Sequence, residues 1–128
     1  MQNPRVLIYV ESRYKINRKK IKSAITSVLE ENKVQSPIEV SIAIVGDRKM
    51  TKLNKQYRDK EGTTNILSFP LSEGKQSPLP QDVTRLGDIV ISYPMVIKES
   101  AEQDMLVDDR VDELVQHGML HLLGLHHE

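Results

Sequence analysis

Three of the chain's four histidines stand at 117, 121 and 127, a spacing of i, i+4 and i+10, with Gly124 at i+7. Imidazole is the commonest protein ligand for a metal ion. On a helix His117 and His121 share one face, about 6 Å apart along the axis, so both rings can point at one ion. A third ligand from the next turn would meet steric conflict, so the helix must stop and the chain must fold back. Gly124 suits that reversal, because glycine enters the left-handed conformation at a helix end without a Cβ penalty. His127 can then return to the same ion. Three neutral nitrogens and no protein anion leave the ion a strong Lewis acid with an open fourth position, the pattern of a catalytic zinc. The bland alternative is three unrelated histidines, one or two of them satisfying the core through hydrogen bonds. Ligand spacing with the glycine in place favours the metal.

The zinc-protease pattern H-E-x-x-H-x-x-G-x-x-H has the same spacing. One position differs: the glutamate that would act as general base is Gly118. The chain keeps the cage and lacks the peptidase's proton-transfer group.

The elements that must position this cage read as follows. Residues 5–10 are apolar and β-branched, a short strand. Asn17 caps a helix to about residue 31, with Ile21, Ala24, Ile25 and Val28 on one face. Lys15, Arg18, Lys19 and Lys22 form a basic stripe near its start, where the helix dipole disfavours them. Residues 38–45 alternate as a strand. Asp47 is read as the cap of a second helix carrying Met50, Leu53, Asn54 and Tyr57 at helical spacing. A polar turn at 58–62 leads to a strand at 65–69 closed by Pro70. Residues 71–82 read as a loop and 86–92 as a further strand. Ser92 and Pro94 open a third helix to about residue 103. Asp108 is read as the cap of the last helix, which carries His117 and His121 and runs through Leu123. The order β-α-β-α-β-β-α-α predicts an α+β fold: one mixed four-stranded sheet covered by helices, in a single domain over residues 1–128.

With 128 residues the chain can bury one modest core, and low aromatic content makes that core mainly Ile, Val and Leu. The lack of cysteine excludes disulfides and thiolate metal sites. No apolar run is long enough to span a membrane and the N-terminus has no apolar signal region, so a cytoplasmic protein is expected. The zero net charge conceals an asymmetry. Residues 1–60 carry 14 Lys and Arg against 6 Asp and Glu, a net of +8, and residues 61–128 carry 4 against 12, a net of −8. A basic half points to an anionic partner, nucleic acid first, or to pairing between the halves within the fold.

Three segments together carry a family resemblance. The stretch HGMLHLLGLHH, from His117 to His127, resembles the signature of the YbeY family of bacterial rRNA-maturation endoribonucleases. Leu53-Asn54-Lys55-Gln56-Tyr57-Arg58 followed by Thr64-Asn65-Ile66-Leu67-Ser68-Phe69-Pro70 is similar to that family's central block. Leu86-Gly87-Asp88-Ile89-Val90-Ile91 is similar to its LGDI strand. The resemblance implies an endoribonuclease specific for single strands, acting in 16S rRNA 3′-end processing and ribosome quality control. It implies one Zn2+ held by His117, His121 and His127, a functional Arg58 near the site, a cytoplasmic location, and association with the small ribosomal subunit. The family's aspartate before the last histidine is His126 here, which makes His126 a competing ligand.

On its own Arg58 is a surface arginine in a polar turn. Beside a metal its guanidinium would bind phosphoryl oxygens bidentately as charge builds on them. Asn65 and Ser68 are secondary candidates for lining the substrate groove; strand-end packing and turn roles are the commoner reading of such residues. Asp88 is read either as a carboxylate that buttresses a histidine through its free ring nitrogen or, equally, as a strand-end cap. One Phe and no Trp make base stacking sparse, so sequence-selective reading of RNA should be poor. Two other classes compete. A metalloprotease-like zinc hydrolase is supported by the spacing and opposed by Gly118. A non-catalytic, zinc-containing ribosome assembly factor would bind RNA without cutting it.

Overall fold

The computed structural model describes residues 4–71 and 83–125, so residues 1–3, most of the segment read as a loop from the sequence (72–82) and residues 126–128, with His126 and His127, lie outside the described residues. Eight elements follow in the expected order: β1 (Arg5–Val10), α1 (Arg18–Glu31), β2 (Ile38–Val45), α2 (Asp47–Arg58), β3 (Ile66–Pro70), β4 (Thr84–Ser92), α3 (Tyr93–Glu102) and α4 (Val107–Leu122). The strands form one mixed sheet in the order β1-β2-β4-β3. β1, β2 and β4 are parallel, and β3 runs antiparallel to β4 along one edge. The fold is α+β.

The alternation in β2 sets how the layers stack. Val40, Ile42 and Ile44 are fully buried on one face, against Ile21, Ile25 and Val28 of α1 and Val111, Val115 and Met119 of α4. On the other face Val45, with Val90 and Leu67 of the neighbouring strands, packs under Met50 of α2. A central parallel strand covered on both sides reads as a continuous apolar run for this reason.

The helix starts separate local signals from tertiary ones. Asn17 caps α1, its side chain accepting from the Lys20 N–H at 3.0 Å, and Ser92 caps α3, accepting from the Met95 N–H at 3.3 Å. Asp47 and Asp108 do not cap. α2 is capped by Gly46 and α4 by Leu106, neither with a side-chain bond. Asp47 is instead the first residue of α2, and its carboxylate accepts from Ser92 Oγ at 2.9 Å and Thr63 Oγ1 at 3.2 Å. Asp108 stands in the first turn of α4, where its charge still favours the helix dipole.

One glycine is dictated by close approach. Pairing between β2 and β4 slips by one residue at Glu39/Val40, and Gly87 takes φ 143° there. A Cβ at Gly87 would lie 2.3 Å from the Phe69 carbonyl oxygen, so no other residue lets β3 lie against β4 at this point.

The basic and acidic halves meet in part. Lys20 of α1 forms an ion pair with Asp109 of α4, and Arg85 reaches back to Glu39, which Arg5 also contacts at 3.4 Å. Arg18 of the basic stripe donates to the Ile8 carbonyl at 3.3 Å, at the sheet edge opposite β3. Among the described residues no helix is long and apolar enough to cross a membrane.

Candidate active site

The histidine-bearing helix is held by its apolar stripe. Val111, Leu114, Val115, Gly118, Met119 and Leu122 are buried, which leaves His121 half-buried and His117 exposed at the stripe's margin. Their ring centroids are 4.8 Å apart with planes tilted by 45°. After Leu122 the helix stops where the glycine predicted it. Gly124 has φ 79°, its N–H donates to the His121 carbonyl at 3.0 Å, and Leu125 N–H donates to the Leu120 carbonyl at 2.8 Å. These two bonds form a Schellman motif, which ends the helix and turns the chain out of it.

The two histidines form one wall of a groove of about 540 Å³ that runs along β3. Ile66, Leu67, Ser68 and Phe69 supply its floor, and Thr64 and Asn65 its lip. Tyr57 and Arg58 at the end of α2 form the opposite wall. Tyr57 stands edge-on to Phe69 with centroids 5.1 Å apart, which fixes the end of α2 over the strand. Arg58 is exposed and makes no ion pair among the described residues, so its guanidinium is available to a ligand. Asp59 follows in the left-handed conformation and closes the helix there.

The lip is clamped from several sides. The Asn65 carbonyl accepts from Ser92 N–H at 2.9 Å, and its side-chain amide donates to both Glu99 oxygens at 3.3 and 3.2 Å. Glu99 is in turn held by Arg110, through Nε at 3.0 Å and a terminal guanidinium nitrogen at 2.8 Å. Asn54 of α2 donates to the Gly62 carbonyl at 3.0 Å. Its own Oδ1 is buried without a partner among the described residues.

The structure thus brings Arg58, Asn65, Ser68, His117 and His121 to one groove. His127 lies outside the described residues. Asp88 requires a correction. Ile89 packs against Gly118 of α4, and successive strand residues face opposite ways, so Asp88 projects from the far side of the sheet. There its Oδ1 accepts from Ser41 Oγ and, at 3.3 Å, from Arg85. It does not buttress His117 or His121. Tyr57 and Thr64 were missed as groove residues, although both lie inside the motif block that contains Arg58. Tyr57 was read as one of four residues at helical spacing and as part of the family block, and an aromatic directly before the block's arginine was the available signal.

Whether these residues suit a metal is testable on the helix itself. A centroid separation of 4.8 Å is compatible with two imidazoles binding one ion at about 2.1 Å each. Among the described residues there is no group of three metal-binding side chains, so the helix supplies a pair.

Imidazoles facing a guanidinium across a groove are the equipment of a hydrolase acting on an anionic ester. Comparison with known proteins agrees. The profile of the family described as "Endoribonuclease YbeY" matches residues 8–128, and the chain belongs to that family. The Endoribonuclease YbeY of Magnetococcus marinus is 41% identical over 98 residues, covering 73% of this chain and 67% of the relative. That of Acinetobacter baylyi is 40% identical over 114 residues, covering 88% and 71%. The solution structure of a Thermotoga maritima protein superposes with a TM-score of 0.61 at 24% identity, over 96% of this chain and 75% of that one, a likeness of fold.

Proposed function

We propose that this chain, an RNA-cleaving hydrolase by family, cuts single-stranded RNA endonucleolytically in 16S rRNA 3′-end maturation. The observation that carries the reading is the placement of Arg58 and the His117–His121 pair on opposite walls of one groove. A phosphodiester lying between them meets a fixed cation on one side and the imidazoles on the other.

In this reading His117, His121 and His127 hold one Zn2+ ion. When bound, the ion supplies Lewis acidity at a phosphoryl oxygen and activates water at neutral pH. The remaining work falls to the chain's own residues. Arg58 engages the non-bridging oxygens bidentately and holds the phosphate against the histidine wall as its charge rises. Asn65, fixed by Glu99, and Ser68 on the floor orient the strand. Stacking surface from Phe and Tyr in the groove is confined to one corner, where the exposed Tyr57 meets Phe69 edge-on. Target choice then comes from context, which fits action on the small ribosomal subunit in the cytoplasm and a part in ribosome quality control.

Metal analysis of the wild type beside His117→Ala tests the cage, followed by cleavage of a 16S 3′ precursor with each. The expected result is loss of both metal and cleavage in the variant. Equal metal content in the two proteins would remove the cage, and an uncut precursor with fully loaded wild type would remove the nuclease reading.

A further inference from the structure

β3 is the outermost strand of the sheet on the groove side, bonded to β4 along one edge only among the described residues. Two bonds set the phase of that pairing. Ser92 N–H donates to the Asn65 carbonyl and Leu71 N–H to the Leu86 carbonyl, and the register between them, Ile66↔Ile91 to Pro70↔Gly87, has no shift. In an antiparallel ladder every second residue exchanges bonds with the partner strand. Residues 65, 67, 69 and 71 therefore bond inward to β4. The backbone N–H and C=O groups of Ile66 and Ser68 point outward, into the groove. Position 70 confirms the phase: Pro70 has no N–H to lose at an outward position, which is where a sheet edge accepts proline.

We propose that this free edge is the RNA-binding rail of the groove. The outward N–H groups of Ile66 and Ser68 donate to successive phosphates of a single strand, and the outward carbonyls accept from ribose 2′-hydroxyls. The inference rests on the RNA-cleaving reading and names the subsite that holds the substrate. Outward groups recur every two residues, about 7 Å, on the order of one nucleotide step in an extended strand. An N–H to a phosphate oxygen is a charge-assisted bond, and Arg58 on the wall above supplies the matching positive charge. The Ser68 side chain projects to the α4 side, with Ile66, so a phosphate on its N–H lies on the way to the histidines. The carbonyls give a reason for RNA over DNA, since the 2′-hydroxyl is the donor that DNA lacks. Backbone groups read no base, so contacts along the rail are independent of sequence.

An extended peptide could also pair with such an edge. Pro70 ends the row of donors after two, and Arg58 beside it favours an anion, so the rail suits a phosphate backbone better.

The test compares Ser68→Ala, which keeps the N–H, with Ser68→Pro, which removes it at a position whose N–H bonds nothing within the sheet. Binding of a short single-stranded RNA is read by fluorescence anisotropy and cleavage by single-turnover rate. Circular dichroism monitors the fold, and an amide-to-ester replacement at Ser68 stands in if the proline variant does not fold. The expected result is binding about tenfold weaker for the proline or ester protein than for Ser68→Ala, and weaker wild-type binding to the 2′-deoxy strand than to RNA. Equal binding by the alanine and proline (or ester) proteins overturns the rail and leaves the nuclease reading standing. Equal affinity for RNA and the deoxy strand overturns the carbonyl contact. A wild type that grips an extended peptide and no RNA brings down both.

Discussion

Gly118 lies flush against Ile89. A Cβ at Gly118 would come within 2.9 Å of Ile89 Cδ1 and 3.1 Å of its two γ-carbons. The residue that replaces the protease glutamate therefore faces the sheet, with its back to the groove. A carboxylate introduced there would enter the core beside a residue that is 0% exposed. Gly118→Glu is expected to unfold the protein or prevent its accumulation, with no gain of peptidase activity on a casein substrate. Gly118→Ala should cost about 1–2 kcal/mol in urea denaturation, overpacking against Ile89 outweighing alanine's helix preference. A stable, casein-cutting Gly118→Glu protein would contradict this placement.

Arg58 is exposed and makes no ion pair among the described residues, so its loss should leave the fold intact. Arg58→Ala should lower single-turnover cleavage of single-stranded RNA by about 10²–10³-fold with Tm unchanged. Arg58→Lys should recover only part of the rate, because an ammonium cannot grip a phosphate bidentately. Unchanged cleavage in the alanine variant would remove Arg58 from the mechanism.

Glu99 joins the groove lip to α4 by accepting from both Asn65 and Arg110. Glu99→Ala strips Asn65 of its acceptor and leaves the largely buried Arg110 with Glu113, at 2.9 Å, as its remaining carboxylate partner. A loss of about 2–3 kcal/mol is expected. Glu99→Gln keeps an acceptor oxygen for Asn65 and should lose less. Denaturation midpoints, with KM for RNA measured alongside, check this. Two variants of equal stability and KM would show the link to be idle.

The Lys20–Asp109 pair ties α1 to the histidine helix and sets a limit at high pH. The hydrogen bond to Asp109 raises the Lys20 pKa above its ordinary 10.5. Burial raises the Tyr93 hydroxyl above 10.0. Both groups hold their protons more firmly folded than unfolded, so stability is intact below about pH 10 and falls as pH rises through the folded values. Lys20→Met should lower Tm at pH 7, and the gap to the wild type should narrow above pH 11. A gap independent of pH would show that the pair contributes through packing alone.

Elements whose causes are local were legible in the sequence. The alternation of β2, the Asn17 and Ser92 caps, and the glycine stop at 124 each sit within a few residues of their effect. Asp47 and Asp88 were misread for the opposite reason. Their carboxylates are claimed by Ser92 and Thr63, and by Ser41 and Arg85, across segments far apart in the chain. Spacing brought His117 and His121 together, and the family block pointed to Arg58, Asn65 and Ser68. The Glu99–Arg110 clamp had no signal in the sequence, because an i, i+11 pair across a helix–helix turn has no periodic signature.

β4 lies between β2 and β3 in the sheet, although it is synthesised after both. Until it emerges, β3 has no neighbour to pair with, and the helix bearing His117 and His121 comes later still. A nascent chain can therefore expose Arg58 and Ser68 while the groove does not yet exist. The groove cannot form before both β4 and α4 are in place, because its floor needs the one and its histidine wall the other.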